Sequence, residues 1–292
     1  MCRWFVSIPV IVIVIVSLVM GGLENARAAS NWPQPALGTS ASGGPEVLFT
    51  FDDGPHEKYT PMVLDALRAH RVRAVFFVAG WRLADGADHS EREQIVKQLL
   101  AERHMVGNHT YHHAHLCSMT EERAAWEIDQ TARLLGRVAR LEVPYFRTPY
   151  GSRCQKLERL LAQREINHIH WDIDAREYLH HDSNLTRLHV ISRIARLEGR
   201  AVVLMHDTQL STARALPGVL AWIEAENLRR QASGSARTIR IISYADVEKE
   251  RLARPLAKIV SDFGQAAQRL LPTIANRLVS PVVGRQLVAE GR

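Results

Sequence analysis

The chain has 292 residues, of which 46% are apolar and 23% are charged, and its formal net charge is +6. This length and composition are sufficient for a folded core and are not those of a disordered protein. The positive excess is modest and spread along the chain, without a basic stripe interleaved with aromatic residues. The sequence therefore predicts no nucleic-acid partner.

The N-terminal segment has the organisation of a secretory signal. Arg3 precedes an apolar run from Phe5 to Met20, and an A-x-A cleavage pattern ends at Ala28. An uncleaved membrane anchor is the alternative, because the apolar stretch is long enough to span a bilayer. Residues 1–28 are therefore predicted to be a signal peptide or an anchor. Either role exports the remainder of the chain to the periplasm or the exterior.

The rest of the chain is predicted to contain a linker, one domain and an extension. Residues 29–46 are rich in Pro, Gly, Ser and Ala, which is typical of a linker. Residues 251–292 carry apolar residues at helical spacing and are predicted to form an amphipathic extension. Two roles for it stay open, namely packing on the domain and contact with a membrane surface or a partner.

Within residues 47–250, short apolar runs alternate with amphipathic helical patterns, one of which begins at Thr120. The apolar runs are Val47–Phe51, Ala74–Val78, Met105–Gly107, Tyr145–Phe146, His168–Trp171, Ala201–Met205 and Ile239–Ile242. Seven strands alternating with helices predict a parallel α/β barrel or a doubly wound sheet. In such a barrel the chemistry takes place in the loops that follow the strands.

Two adjacent carboxylates, Asp52 and Asp53, end the first apolar run and lead into a Gly-Pro turn. Because adjacent buried carboxylates repel each other, one of them usually requires a cation. A metal bound by one would leave the other as a general base. Taken alone, the motif is also compatible with a solvated turn.

A histidine pair follows the third apolar run. His109 and His113 are four residues apart, so one helical turn would direct both rings to the same side. This spacing is typical of metal-binding pairs. Together with Asp53 the pair would provide three protein ligands and leave positions open, as in a catalytic metal site.

Three further polar clusters also follow predicted strands. Arg147, which is suited to a bidentate contact with a carboxylate, lies just before Tyr150, whose backbone N–H is a candidate to face an oxyanion. Asp174 follows the fifth run, and His206 follows the sixth. Each cluster alone would be compatible with an ordinary loop, so the prediction rests on all five occurring in order.

These five clusters resemble the motifs of the polysaccharide deacetylase family, carbohydrate esterase family 4, also called the NodB homology domain. The resemblance covers about residues 47–244 and rests most on Thr-Phe-Asp-Asp-Gly-Pro at 50–55 and on the histidine stretch at 109–113. It implies a distorted (β/α) barrel of about seven parallel strands. It also implies hydrolysis of the acetamide of N-acetylglucosamine-type residues in a polysaccharide or oligosaccharide.

The resemblance further implies a divalent metal and roles for individual residues. The metal would be Zn²⁺, with Co²⁺, Ni²⁺ and Mn²⁺ as alternatives. The implied roles are catalytic base for Asp52, metal ligand for Asp53, His109 and His113, orientation of the base for Arg147, catalytic acid for His206, and lining of the acetyl groove for Leu204. An O-acetyl esterase acting on acetylated xylan and a non-catalytic carbohydrate-binding relative remain alternatives.

The fourth cluster departs from the family pattern. The family's Asp-x-x-Asp-Trp is represented here by residues 174–178, which end in Glu177 and Tyr178. Asp174 is expected to tune the charged network by pairing with His206, with Arg147 or with both. The family's tryptophan helps to wall the acetyl pocket, so its replacement bears on substrate preference.

Past the N-terminal segment, Cys117 and Cys154 are the two cysteines. They follow the second and third clusters, so both are expected near the same face. There a disulfide would brace the two loops, which is compatible with an exported protein. Two free cysteines are the alternative.

Overall fold

The computed structural model describes residues 43–84, 89–140 and 142–250. The predicted signal or anchor, most of the predicted linker and the predicted C-terminal extension lie outside these residues. The chain divides into two compact units, residues 1–244 and 245–292, and the elements below belong to the first. Among the described residues, no helix has the length and apolar character needed to cross a membrane.

The described residues form one sheet of eight strands, in which every pair is parallel. The strands are β1 (Glu46–Asp52), β2 (Val75–Val78), β3 (Met105–Asn108), β4 (Tyr145–Phe146), β5 (Asn167–His168), β6 (Ile173–Asp174), β7 (Arg200–His206) and β8 (Arg240–Ile241). Their order is β5-β4-β3-β2-β1-β7-β6, and β8 pairs with the first two residues of β1. The two strands at the ends of this order, β5 and β6, do not pair with each other, so these strands do not form a closed barrel.

Helices connect most of these strands. They are α1 (Tyr59–Ala69), α2 (His89–Ala101), α3 (Glu121–Ala139), α4 (Gln155–Gln163), α5 (Glu177–His180), α6 (Ser183–Ala195) and α7 (Leu210–Ala232). The predicted start of a helix at Thr120 is confirmed, because its side chain accepts a hydrogen bond from the Arg123 N–H and caps α3.

The central strand β1 is buried along its whole length. Val47, Phe49 and Phe51 belong to the main apolar core. Because side chains alternate along a strand, Thr50 and Asp52 project from the opposite face of the sheet. All strands run in the same direction, so their carboxyl ends and the loops after them meet at one edge.

The predicted α/β class with a distorted barrel of parallel strands is confirmed, with two differences. The sheet has an eighth strand, β6, which lies directly after the predicted fifth run and has only two residues. In addition, β1 begins at Glu46, which the prediction placed in the linker. Glu46 is fully buried and accepts hydrogen bonds from Arg200 (2.6 Å) and Arg240 (2.9 Å), so the sheet includes it.

Cys117 and Cys154 form a disulfide, with their Cα atoms 5.9 Å apart. Cys117 lies in a short turn after the histidine stretch, and Cys154 directly precedes α4. The predicted brace between the second and third clusters is therefore confirmed.

Replacing both cysteines with serine should lower the free energy of unfolding by about 4 kcal/mol, because the bond links residues separated by 37 positions. Denaturant unfolding of the oxidised protein and the double variant measures this difference. The wild-type protein unfolded in a reducing agent is the control and should resemble the variant. Equal unfolding midpoints for oxidised protein and variant would contradict the prediction.

Candidate active site

The five polar clusters converge at the carboxyl-terminal edge of the sheet. Asp52 is the last residue of β1, and it pairs in register with His206, the last residue of β7. His109 directly follows β3, and Arg147 directly follows β4. The parallel topology thus brings to one edge residues that are far apart in the sequence.

Arg147 is completely buried and contacts Asp52. Its Nη1 donates to Asp52 Oδ1 at 2.9 Å and lies 2.7 Å from Thr50 Oγ1. Its Nε and Nη2 donate to the backbone carbonyls of Ile169 (3.0 Å) and His170 (3.1 Å). The guanidinium therefore holds one oxygen of Asp52 and leaves the second facing His109, whose Nε2 is 3.7 Å away.

Asp53, His109 and His113 form the one cluster among the described residues in which three potential ligand atoms lie within 4.8 Å of one another. Asp53 Oδ1 lies 3.4 Å from His109 Nε2 and 3.2 Å from His113 Nε2. Burial disfavours ionisation of Asp53, but the adjacent His109 imidazole and the charges of His206 and His113 outweigh it and lower its pKa.

The residues of this cluster fit a divalent metal. Nδ1 of His109 lies 2.8 Å from the carbonyl oxygen of Arg147, so that nitrogen carries the hydrogen and Nε2 offers a lone pair. Nδ1 of His113 is similarly engaged by the Tyr150 hydroxyl at 3.1 Å. Buried Asp53 Oδ1 has no hydrogen-bond partner. One carboxylate and two imidazoles are a ligand set that suits zinc.

The two histidines do not reach the site through a helical turn, so that prediction was wrong. Residues 109–115 are a loop, in which Thr110 (φ 64°) and His113 (φ 56°) adopt the left-handed conformation. Asp53 also has a positive φ of 73°. The backbone reverses locally at these positions, and these reversals direct the three side chains to one point.

His206 is paired with Glu177, which is fully buried at the first turn of α5. Glu177 Oε1 lies 2.9 Å from His206 Nδ1 and accepts the His206 backbone N–H at 2.6 Å. Burial lowers the pKa of His206, but the hydrogen bond and charge of Glu177, together with the charges of Asp52 and Asp53, raise it to about 9. The imidazole is therefore protonated at neutral pH.

The structure corrects the prediction that Asp174 pairs with His206 or Arg147. Asp174 accepts hydrogen bonds from the Arg176 N–H and the Tyr178 hydroxyl, each at 2.8 Å. These bonds occupy its carboxylate within the turn that leads into α5. The same turn places Glu177, one residue before Tyr178, against His206.

Tyr178, Leu204 and Tyr150 surround the cluster. The Tyr178 ring contacts the His206 ring edge to face, with centroids 5.4 Å apart. Leu204 is buried on β7 and projects from the same face as His206, two residues later. The Tyr150 ring is exposed and stacks on the His115 ring, with the two ring centroids 4.0 Å apart. The role predicted for the Tyr150 backbone N–H stays a prediction.

Sequence reasoning did not assign roles to Thr50 and Glu177. Thr50 lies inside an apolar run, where an isolated threonine gives no signal. Glu177 was noted as a departure from the family pattern, but its position one helical turn after a strand end is also compatible with a solvated face. Burial of a carboxylate next to a histidine is visible only in three dimensions.

Comparison with known proteins places this site in a family. Residues 39–169 match the family model described as polysaccharide deacetylase. A peptidoglycan-N-acetylglucosamine deacetylase of Bacillus cereus is 34% identical over 130 residues, which are 44% of this chain and 45% of that protein. The chain therefore spans less than half of that relative.

A chitooligosaccharide deacetylase of Sinorhizobium fredii is 33% identical over 171 residues, which are 58% of this chain and 74% of that protein. The structure of the peptidoglycan deacetylase PdaC from Bacillus subtilis superimposes with a TM-score of 0.62 at 20% identity, covering 76% of this chain and 98% of that one. At this identity the likeness shows the fold alone.

Asp52→Asn should abolish turnover while zinc still binds, because the amide keeps the shape of the side chain and removes the proton acceptor. Asp53→Asn should instead weaken zinc binding, because a charged ligand is lost. Bound zinc and turnover are measured for both variants and for the wild type. Loss of zinc in Asp52→Asn with retention of zinc and rate in Asp53→Asn would show that the two roles are exchanged.

Glu177→Gln should lower the pKa of His206, because the charge that holds its proton is removed. A catalytic acid is active only when it is protonated. The pH at which the rate begins to fall on the alkaline side should therefore be about 1–2 pH units lower in this variant than in the wild type. The pH dependence of kcat measures the shift.

Asp174→Asn is the matched control for Glu177→Gln. Its side chain contacts Arg176 and Tyr178, and it should leave the alkaline limb of the profile where it is. An unshifted limb in Glu177→Gln, or an equal shift in both variants, would contradict the assignment.

Proposed function

This chain belongs to the polysaccharide deacetylase family of hydrolases, and we propose that it removes the acetyl group from N-acetylglucosamine-type residues of a polysaccharide or oligosaccharide. The observation that carries the proposal is the arrangement at the edge of the sheet. A three-residue metal cluster (Asp53, His109 and His113) lies at the same edge of the sheet as a carboxylate held by Arg147 and a histidine paired with Glu177. Metal-dependent hydrolysis of an amide uses a Lewis acid, a proton acceptor and a proton donor around one carbonyl.

The proposed cofactor is a divalent cation held by Asp53, His109 and His113. Zn²⁺ suits this ligand set best, and Co²⁺, Ni²⁺ and Mn²⁺ are compatible with it. When bound, such an ion supplies Lewis acidity to the acetyl carbonyl and lowers the pKa of a water molecule.

Asp52 is the proposed general base. Its Oδ1 is engaged by Arg147 at 2.9 Å, so the carboxylate has a fixed orientation. Its Oδ2 faces His109 Nε2 at 3.7 Å and is therefore next to the metal cluster. From this position Oδ2 accepts a proton from the attacking water.

His206 is the proposed general acid. Glu177 binds Nδ1, so the proton to be transferred is the one on Nε2. This proton passes to the sugar nitrogen as the C–N bond breaks, and an amine cannot leave readily without it. The Tyr150 backbone N–H is proposed to stabilise the negative charge that develops on the acetyl oxygen.

Leu204 and Tyr178 are proposed to form the acetyl pocket. Leu204 is buried on the inner face of β7, and Tyr178 packs against His206. A tyrosine at this position provides a smaller wall than the family's tryptophan, and its hydroxyl is held by Asp174.

The proposed location is outside the cytoplasm. The predicted signal or anchor motivates this proposal, and the Cys117–Cys154 disulfide supports it, because disulfides persist in oxidising compartments. Peptidoglycan, chitin oligomers and poly-N-acetylglucosamine are the candidate substrates that such an enzyme would meet there.

Acetate release from a panel of polymers tests the proposal. The zinc-loaded protein should release acetate from at least one N-acetylglucosamine polymer, and Asp52→Asn should release none. Acetylated xylan, whose acetyl groups are O-linked, is included as the matched ester substrate. Release from acetylated xylan alone would replace the proposal with an O-acetyl esterase. Release from no substrate by a zinc-bound protein would favour a non-catalytic carbohydrate-binding role.

A further inference from the structure

The loop that carries the two histidine ligands is attached to two neighbouring elements. On one side, the backbone N–H groups of Gly80 and Trp81 donate to the carbonyls of Thr110 (2.9 Å) and Tyr111 (3.0 Å). On the other side, the Asn108 amide donates to the Ile128 carbonyl of α3 at 2.8 Å. These bonds hold the strand end that precedes His109 and the segment between the two ligands.

Glu127 on α3 makes the most specific of these attachments. Its side chain is fully buried, and both of its oxygens contact the same residue, His112. Oε2 accepts the His112 backbone N–H at 2.7 Å, and Oε1 lies 2.8 Å from His112 Nδ1. The Arg123 guanidinium is farther away, at 3.8 Å from Oε1.

His112 directly precedes the ligand His113, whose left-handed backbone is unfavourable for a residue with a side chain. Such a conformation persists only where the surroundings fix it. Glu127 fixes the peptide that joins Tyr111 to His112, one residue before His113, and the Tyr150 hydroxyl engages the His113 ring on the other side.

The alternative is a purely structural role, in which Glu127 only stabilises the fold, as other buried carboxylates do. Two features separate it from that role. Its partner lies on the ligand loop, not on a sheet strand, and both of its oxygens act on His112, the last of the three residues between the two ligands. Glu46, by contrast, is equally buried but pairs with Arg200 and Arg240 near the amino end of β1.

We propose that Glu127 is a positioning residue of the metal site, which fixes the peptide at His112 so that His113 presents Nε2 toward Asp53. This inference rests on the metal site of the proposed function, but it does not depend on the substrate. Glu127 would act through the backbone, so its replacement should change metal affinity and ligand geometry and not the proposed acid or base.

The test compares Glu127→Asp with Glu46→Asp, each of which shortens a fully buried carboxylate by one methylene. Glu127→Met, which keeps the volume and removes both acceptors, is the second variant. Glu127→Gln is the rescue variant, because its amide can still accept from the His112 N–H and donate to Nδ1. Zinc affinity is measured by competition with a chelator, and the visible spectrum of the Co²⁺-loaded protein reports ligand geometry.

Glu127→Asp and Glu127→Met should bind zinc about 10–100-fold more weakly and change the Co²⁺ spectrum, whereas Glu127→Gln and Glu46→Asp should stay close to the wild type. Thermal unfolding confirms that each variant is folded. Wild-type affinity in folded Glu127→Asp, or an equal loss in Glu46→Asp, would overturn the inference. Absence of zinc binding by the wild type would instead overturn the proposed function.

Discussion

The buried guanidinium of Arg147 is the interaction on which the geometry of the site depends. Its donors reach the side chains of Thr50 and Asp52 on β1 and the carbonyls of two residues after β5. Its own carbonyl oxygen accepts from His109. One residue thus joins the proposed base, a proposed metal ligand and an edge of the open sheet. A buried charge is tolerated here because its hydrogen-bonding groups are engaged and Asp52 is its counter-ion.

The second constraint is that the two adjacent carboxylates, Asp52 and Asp53, point in different directions. Asp52 ends the strand and points to Arg147, whereas Asp53, with a φ of 73°, turns toward the histidines. The next residue must be glycine, because a Cβ on Gly54 would lie 2.2 Å from Asp207 Oδ2. The backbone therefore separates the two carboxylates, as the roles proposed for them, base for Asp52 and metal ligand for Asp53, require.

Much of this arrangement is visible in the sequence. Long apolar runs such as Val47–Phe51 predict buried parallel strands, and polar clusters after them predict a shared edge. The sequence does not reveal β6, because only Asp172 separates it from the fifth apolar run and no turn pattern marks a new strand. It also suggested a helical turn for His109 and His113, since spacing alone cannot show left-handed residues in a loop. The pairing of Glu177, and not Asp174, with His206 depends on how α5 turns against β7.

The central claim is that the metal takes Asp53 and the two histidines while Asp52 remains bound to Arg147. Anomalous diffraction from crystals of the zinc-loaded protein tests it most directly. We expect one zinc peak at roughly 2.0–2.2 Å from Asp53 Oδ1, His109 Nε2 and His113 Nε2, with the Asp52–Arg147 pair intact. A zinc ion bound directly to Asp52, with that pair broken, would contradict it.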